Sequence, residues 1–222
     1  MKPPYDRVDD WIFDLDNCLY PASTGLFTLI DERMNAYIRR LLDCDAIEAH
    51  RVQKAHFHAH GTTLAGLMAE HDVDPTDFLT DVHAIPMDRI ERNDRLAASL
   101  DRLPGRKFIF TNGDANYAGR VLDSIGIADR FDDMHDIHAS SYKPKPDPHG
   151  YALLCERFGI DPARALFADD IACNLAPAKA LGMTTVWVDN GSERGTHGHG
   201  DFIDHRIEDV SDWLEDILGE AS

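Results

Sequence analysis

An α/β fold with a parallel sheet, interrupted early by a helical insertion, is predicted by three features of this sequence. Short apolar runs end abruptly at acidic or polar loops, and helical patterns alternate with those runs. Residues 21–100 break the alternation, with helical spacing and no convincing strand. Strands alternating with helices imply a parallel sheet.

The strands are read at 11–13, 107–110, 134–137, 165–168 and 184–188. Helices at 115–125, 148–158 and 173–181 each stop at a glycine (Gly126, Gly159, Gly182), placed where a helix C-cap favours that residue. Within the insertion, Leu26, Ile30, Met34, Ile38 and Leu41 recur at helical spacing behind Ser23 or Thr24 as an N-cap. Gly61 closes a second helix, and Thr62 or Thr63 caps a third. Asp74-Pro75 opens a fourth as N-cap and first helical residue. An insertion after the first strand stands over the carboxyl ends of the strands, where open α/β sheets place their ligands. The chain divides into a core, 1–20 with 101–222, and an inserted helical unit, 21–100. The glycine-rich stretch 190–200, with His197 and His199, reads as a surface loop.

The chain has 222 residues, 43% of them hydrophobic, which is enough for a full core. Asp and Glu number 40 against 22 Lys and Arg, and the formal charge of -18 repels polyanions and anionic membrane surfaces. Nucleic acid polymers and membranes are therefore not expected as partners. A small anionic substrate needs local cationic help from a metal ion or a few lysines, so sensitivity to a divalent cation is expected. Cys18, Cys44, Cys155 and Cys173 form no C-x-x-C pair and read as reduced thiols. Residues 1–6 carry no leader pattern, and no run of about 18 apolar residues occurs, so a cytoplasmic location is expected. Monomer and homodimer both stay open.

Four polar constellations follow the predicted strands. Asp14 and Asp16 end the run 11–13; carboxylates there can hold a hard cation or attack phosphorus, although a solvated turn also explains them. Thr111-Asn112-Gly113-Asp114 offers a hydroxyl and backbone N–H groups for an anionic oxygen, or simply a good turn. Lys143 and Lys145 are fixed by Pro144 and Pro146, as an ammonium positioned before any ligand arrives or as a rigid connector. Asp169 and Asp170 end the fourth strand, where adjacent acids repel unless a cation or donor sits between them. Loops at one edge of a parallel sheet converge, so all four can meet in one crevice.

In these four motifs and their order, the chain resembles the haloacid dehalogenase-like superfamily, in its phosphatase branch. Through Phe13-Asp14-Leu15-Asp16-Asn17, Leu19-Tyr20-Pro21 and Thr111-Asn112-Gly113-Asp114 it is most similar to the pyrimidine 5'-nucleotidase type. The resemblance implies a Rossmann-like core with a small helical C1-type cap, and a Mg²⁺-dependent phosphomonoesterase. It implies Asp14 as nucleophile and Asp16 as general acid and then base. Thr111, Asn112 and Gly113 would bind phosphoryl oxygens. Lys145 would neutralise charge, being preferred over Lys143 because Lys-Pro-Asp-Pro-x-x-Tyr, ending at Tyr151, matches the family spacing. Mg²⁺ would be held by Asp14, the main-chain carbonyl of Asp16, and Asp170, with Asp169 in support. Cys18 and Asn174 depart from the usual threonine and aspartate, and neither change is expected to abolish activity.

The implied substrate is a small phosphorylated metabolite, a pyrimidine nucleotide such as UMP or CMP, with phosphoglycolate or a sugar phosphate as the alternative. A phosphomutase would need a cap acid or base that the sequence does not single out. A dehalogenase proper would lack an acid at Asp16. A receiver-like module would place its paired acids at the first strand rather than the last, and an EF-hand is excluded by Leu19 and Gly25 at its sixth and twelfth positions. In the insertion, Thr62 and Thr63 are candidates for contacting a base or sugar, although helix capping explains them equally. Phe57 and Tyr20 read as stacking or packing residues. His56 and His60 stand i,i+4 with His58 between, a spacing that reads as a solvated helix face because no third ligand is near in sequence.

Overall fold

The computed structural model describes residues 5, 7–191 and 200–219. Its core is one six-stranded, wholly parallel sheet in the order β3-β2-β1-β4-β5-β6. The strands are β1 (Asp10–Phe13), β2 (Arg106–Phe110), β3 (Asp133–His135), β4 (Ala165–Asp169), β5 (Thr184–Val188) and β6 (His205–Ile207). The chain runs outward from β1 through β2 to β3 and then crosses to β4 on the other flank of β1. That reversal opens a crevice at the carboxyl end of β1.

Five helices lie between β1 and β2: α1 (Leu26–Leu42), α2 (Ala46–His60), α3 (Thr63–His71), α4 (Pro75–Val82) and α5 (Asp94–Arg102). The rest alternate with strands: α6 (Ala115–Ile125), α7 (Pro148–Phe158), α8 (Leu175–Leu181) and α9 (Val210–Gly219). Alternate β1 residues serve opposite faces, as strand geometry requires. Trp11 and Phe13 join a core built with α5, α6, α9 and the inserted helices, whereas Ile12 joins one built with α7 and α8. Each fully buried Ile or Phe here stabilises the fold by roughly 2 kcal/mol. Gly105 has φ +87, and a Cβ there would come within 2.2 Å of the Asp9 carbonyl oxygen, so only glycine lets β2 start beside β1.

The helical reading of the insertion holds with local differences. Gly61 ends α2, the Thr62 hydroxyl accepts from Ala65 N–H, and Asp74 caps α4 with Pro75 following. The N-cap of α1 is Gly25 in the left-handed region, with Thr24 Oγ1 accepting from Leu26 N–H at 3.3 Å. β3 ends at His135, two residues early, because the chain turns to let Asp136 accept from Ala115 and Ala139 N–H. Residues 172–174 form a 3-10 turn ahead of α8 rather than its first turn. β6 is too short and polar to stand out in sequence, whereas α9 carries Val210, Trp213, Leu214, Ile217 and Leu218 at helical spacing and was legible but not assigned. Residues 192–199, most of the glycine-rich stretch with His197 and His199, lie outside the described residues.

The boundary read at 100/101 falls inside α5, which is tied to the core: Arg95 pairs with Asp212 and Glu215 of α9, and Asn93 with Ser211. All four cysteines are free thiols. Among the described residues no helix is long and apolar enough to cross a membrane.

His135 is buried against Phe110 with neither ring nitrogen hydrogen-bonded, and burial pushes its imidazole down to about 4. A depressed histidine favours the fold only while neutral in both states. Stability is therefore complete above the ordinary value near 6.5 and falls as pH drops toward 4. Between pH 7 and pH 5 this group accounts for about 2 kcal/mol of lost stability. Urea unfolding at the two pH values will show a smaller loss in His135→Leu than in the wild type; equal losses would contradict this account.

Candidate active site

Sheet register sets the site. Phe13 pairs with Ile109 on one side and Ala168 on the other, so the residues after the three strands emerge at one level. Asp14 keeps that registry, donating its N–H to Ala168 O at 2.8 Å. The chain then turns through Asn17, whose φ of 58 lies in the left-handed region that Asn tolerates better than most residues.

Lys145 enters on the loop between β3 and α7, through a cis Lys145–Pro146 peptide. Its main chain is gripped by the Asn112 amide, which accepts from Lys145 N–H at 2.8 Å and donates to Lys145 O at 3.3 Å. The ammonium donates to Asp14 Oδ1 at 2.7 Å, Asp169 Oδ2 at 2.7 Å and Phe110 O at 2.8 Å, which uses all three of its N–H groups. Burial disfavours its charge, but the two carboxylates outweigh that and hold Lys145 protonated, above its ordinary range. Lys143 is exposed and makes no such contact.

Asp169 is fully buried and already engaged: besides Lys145, it accepts from Ile171 N–H at 2.8 Å and from the Asn174 amide at 3.0 and 3.1 Å. Tyr151 in turn donates to Asn174 O at 2.6 Å. Carboxylate oxygens of Asp14, Asp169 and Asp170 lie within 4.8 Å of one another. Burial pushes the Asp14 carboxyl up; Lys145 opposes this, but Asp169, Asp170 and Asp16 add to the rise, and the net direction is upward. One ammonium does not balance so many acids. An all-oxygen donor set with surplus negative charge suits a hard divalent cation.

The Asp16 carboxylate is not part of that group. Its Oδ1 accepts from the hydroxyls of Tyr20 and Tyr117, each at 2.6 Å. Burial and the Asp16 charge push both phenols well above their ordinary value, so they remain donors. Tyr117 stacks on His83 with ring centroids 4.2 Å apart, and His83 Nδ1 forms a short hydrogen bond with Asp114 Oδ2. Burial works against the charged Asp114, but His83 and the N–H groups of Tyr117 and Asn116 prevail and hold it below the usual range. Arg120 of α6 donates to His83 O at 2.9 Å, tying the end of α4 to the core. Tyr20 read as a stacking or packing residue and instead supports Asp16. Tyr117 and His83 carried no signal. Asp114 was visible only as the last residue of the Thr111-Asn112-Gly113-Asp114 motif; the structure makes it the N-cap of α6 as well.

A cavity of about 330 Å³ joins the strand ends to the inserted helices. Asp14, Asp16, Thr111, Asn112, Gly113, Lys145 and Asp170 line its core side, and Phe27, Ile30, Met34, Phe57, Phe78 and Leu79 its far wall. Thr111 Oγ1 accepts from Gly113 N–H at 3.0 Å, which leaves its own proton to donate. Thr62 and Thr63 also line the cavity, but their hydroxyls are engaged. Thr62 caps α3, and Thr63, buried, donates to Gln53 O at 3.4 Å. Asn112 is likewise committed to Lys145. His56 is not on a solvated face: it is 4% exposed, and α3 supplies Glu70 beside it.

A doubly covered parallel sheet with carboxylates and one buried lysine at its switch point defines the class, an α/β protein with an acid-lined crevice. The chain belongs to the haloacid dehalogenase-like hydrolases, whose family model matches residues 11–182. Phosphate metabolism protein 8 of Saccharomyces cerevisiae is 28% identical over 194 residues, 79% of this chain and 60% of that protein. N-acetylmuramic acid 6-phosphate phosphatase of Pseudomonas aeruginosa is 29% identical over 119 residues, 51% of this chain and 50% of its own length. The chain thus spans 60% or less of these relatives. Among solved structures, the HAD phosphatase of Thermococcus onnurineus superposes with TM-score 0.62 at 20% identity, covering 96% of this chain and 98% of that one. The L-2-haloacid dehalogenase of Xanthobacter autotrophicus gives 0.60 at 19%, covering 96% and 99%. At such identities the likeness concerns the fold.

Removing one partner of a buried ion pair leaves uncompensated charge, which costs on the order of 3 kcal/mol or more. Lys145→Met, measured by urea unfolding at pH 7 in the presence of a chelator, is expected to lose about that much stability. An unchanged midpoint would show that the ammonium is not holding the acids together.

Proposed function

We propose that this chain is a Mg²⁺-dependent phosphomonoesterase that works through an aspartyl-phosphate on Asp14 and acts on a pyrimidine nucleoside 5'-monophosphate such as UMP or CMP. One observation carries the reading: a buried, lysine-held carboxylate, Asp14, stands two residues from a second carboxylate, Asp16, held by two phenol hydroxyls at the same strand end. The pair supplies the two roles that ester hydrolysis requires, a nucleophile and a proton carrier.

An Asp14 oxygen attacks phosphorus, the bond from phosphorus to the ester oxygen breaks, and Asp16 delivers a proton to the leaving alkoxide. Water then attacks phosphorus of the aspartyl-phosphate and gives a proton to Asp16, and inorganic phosphate departs with Asp14 restored. Lys145 fixes the attacking carboxylate, while the Thr111 hydroxyl and the Asn112 N–H receive phosphoryl oxygens, the N–H groups of Thr111 and Gly113 being engaged by His135 O and Thr111 Oγ1. Asp14, Asp170 and the Asp16 carbonyl are the oxygens that would hold Mg²⁺. When bound, it supplies neutralisation of phosphoryl charge.

The aromatic, apolar far wall supports a substrate with a flat base in preference to a polyhydroxylated leaving group, which would need more polar partners. A sugar phosphate remains the second reading, favoured by the name of the Pseudomonas relative. We place the cap at α1 to α4 and assign α5, by its ties to α9, to the core.

Phosphate release is measured from UMP, CMP, AMP, phosphoglycolate and sugar phosphates, with Mg²⁺ and with a chelator. Preferential, Mg²⁺-dependent turnover of UMP and CMP is expected, with none in Asp14→Asn and a fall of about 10²- to 10⁴-fold in Asp16→Asn. Turnover led by another ester would reject the nucleotide assignment, and Asp14-independent turnover would reject the mechanism. Tyr117→Phe removes one of two donors to Asp16 and is expected to lower kcat about tenfold, with KM little changed.

A further inference from the structure

Away from the strand ends, helices α2 and α3 bring together a second set of metal-type donors. His56 and His60 stand i,i+4 on α2, and Gly66 and Glu70 stand i,i+4 on α3, so the two pairs face one another across the helix pair. Glu70 Oε1 lies 3.1 Å from His60 Nε2 and 3.5 Å from His56 Nδ1. Four-coordinate zinc, with bonds of about 2.0 to 2.1 Å, separates its ligand atoms by about 3.3 Å. The observed spacings bracket that edge.

Packing favours the same arrangement. His56 is buried, its Nε2 has no hydrogen-bond partner, and its ring presses on Gly66 so closely that a Cβ there would sit 2.4 Å from His56 Cγ. Glycine inside a helix costs up to about 1 kcal/mol relative to alanine, so the close approach is maintained against local preference. A buried imidazole whose Nδ1 faces Glu70 while its Nε2 stays unpartnered is an expensive way to fill this space. The ring of His71 lies 5.6 Å from that of His56, close to the same cluster.

From this geometry we infer that His56, His60 and Glu70 form a binding site for a borderline transition-metal ion of the zinc class, separate from the carboxylate centre. Two imidazoles and one carboxylate suit Zn²⁺, Co²⁺ or Ni²⁺ and not Mg²⁺. The ion staples α2 to α3 directly behind the turn of Gly61, Thr62 and Thr63, which lines the cavity, and so fixes the shape of that wall.

The test uses the full chain without an affinity tag, because its 12 histidines already provide a nonspecific background. Chelator-stripped protein is titrated with Zn²⁺ against a chromophoric competitor, as wild type and as Asp170→Asn, which takes one of the three carboxylates from the strand-end centre and so weakens any binding there. One tight equivalent is expected in both, weakened at least about tenfold in His60→Gln and in Glu70→Gln. These two residues are at the surface, so folding is retained where His56→Ala would open a cavity. Zn²⁺ should also raise the melting temperature of the wild type and not of these variants. Co²⁺ should give the visible absorption of a four-coordinate ion only when the site is intact. The inference is overturned if wild type and both variants bind Zn²⁺ alike, or if binding is lost with Asp170→Asn.

Discussion

The ammonium of Lys145 is the constraint around which the rest of the site is arranged. A buried cation must spend every N–H on an acceptor, and here the acceptors are Asp14, Asp169 and the carbonyl that ends β2. Those contacts tie together three strand ends, two of which carry carboxylates that would otherwise repel. They also explain neighbouring residue choices. Asn112 exists to hold the Lys145 backbone, Asn174 to satisfy Asp169, and Tyr151 to hold Asn174 in turn. A chain of buried polar groups of this kind has value only when complete, because a half-satisfied one costs more than an apolar core.

Against that charged floor the inserted helices set an apolar roof. Phe27, Phe57 and Phe78 face the cavity there with His58, Thr62, Thr63 and His83 among them, while the floor carries the acids and Lys145. The two ends of a ligand are thus treated by different physics: electrostatics and hydrogen bonding at the strand ends, area and shape beneath the helices. His83 joins the two regimes, because it closes α4 and yet stacks on Tyr117 and bonds Asp114 of the core.

Strand periodicity, glycine stops and N-caps made most of the sheet and the helices of the insertion legible, since each is written in a few adjacent residues. Asp14, Thr111, Lys145 and the Asp169-Asp170 pair were legible as a set because parallel topology brings loops after strands to one edge. Roles decided by distant contacts were not. Thr62, Thr63 and Asn112 carry side chains of the right chemistry, but their hydrogen bonds go to Ala65, Gln53 and Lys145. Glu70 stands ten residues from His60 and enters the histidine cluster only when α3 folds back on α2. β6 escaped because pairing at a sheet edge stabilises it, not its own pattern, whereas the apolar stripe of α9 at 210, 213, 214, 217 and 218 was there to be read.

Phosphatases and dehalogenases both appear among the structures that share this fold, at nearly equal similarity, so the fold cannot choose between ester and halide chemistry. Asp16 can. A halide leaves without a proton, and an acid beside its path would add charge and solvation cost for no return. An alkoxide leaves only if protonated. A site that places a carboxylate beside the proposed nucleophile and anchors it with two buried phenols, Tyr20 of the same loop and Tyr117 of α6, is built as the proposed proton carrier requires. Under the function proposed above, that arrangement serves an oxygen leaving group, and it supports an ester substrate independently of which base or sugar the roof accepts.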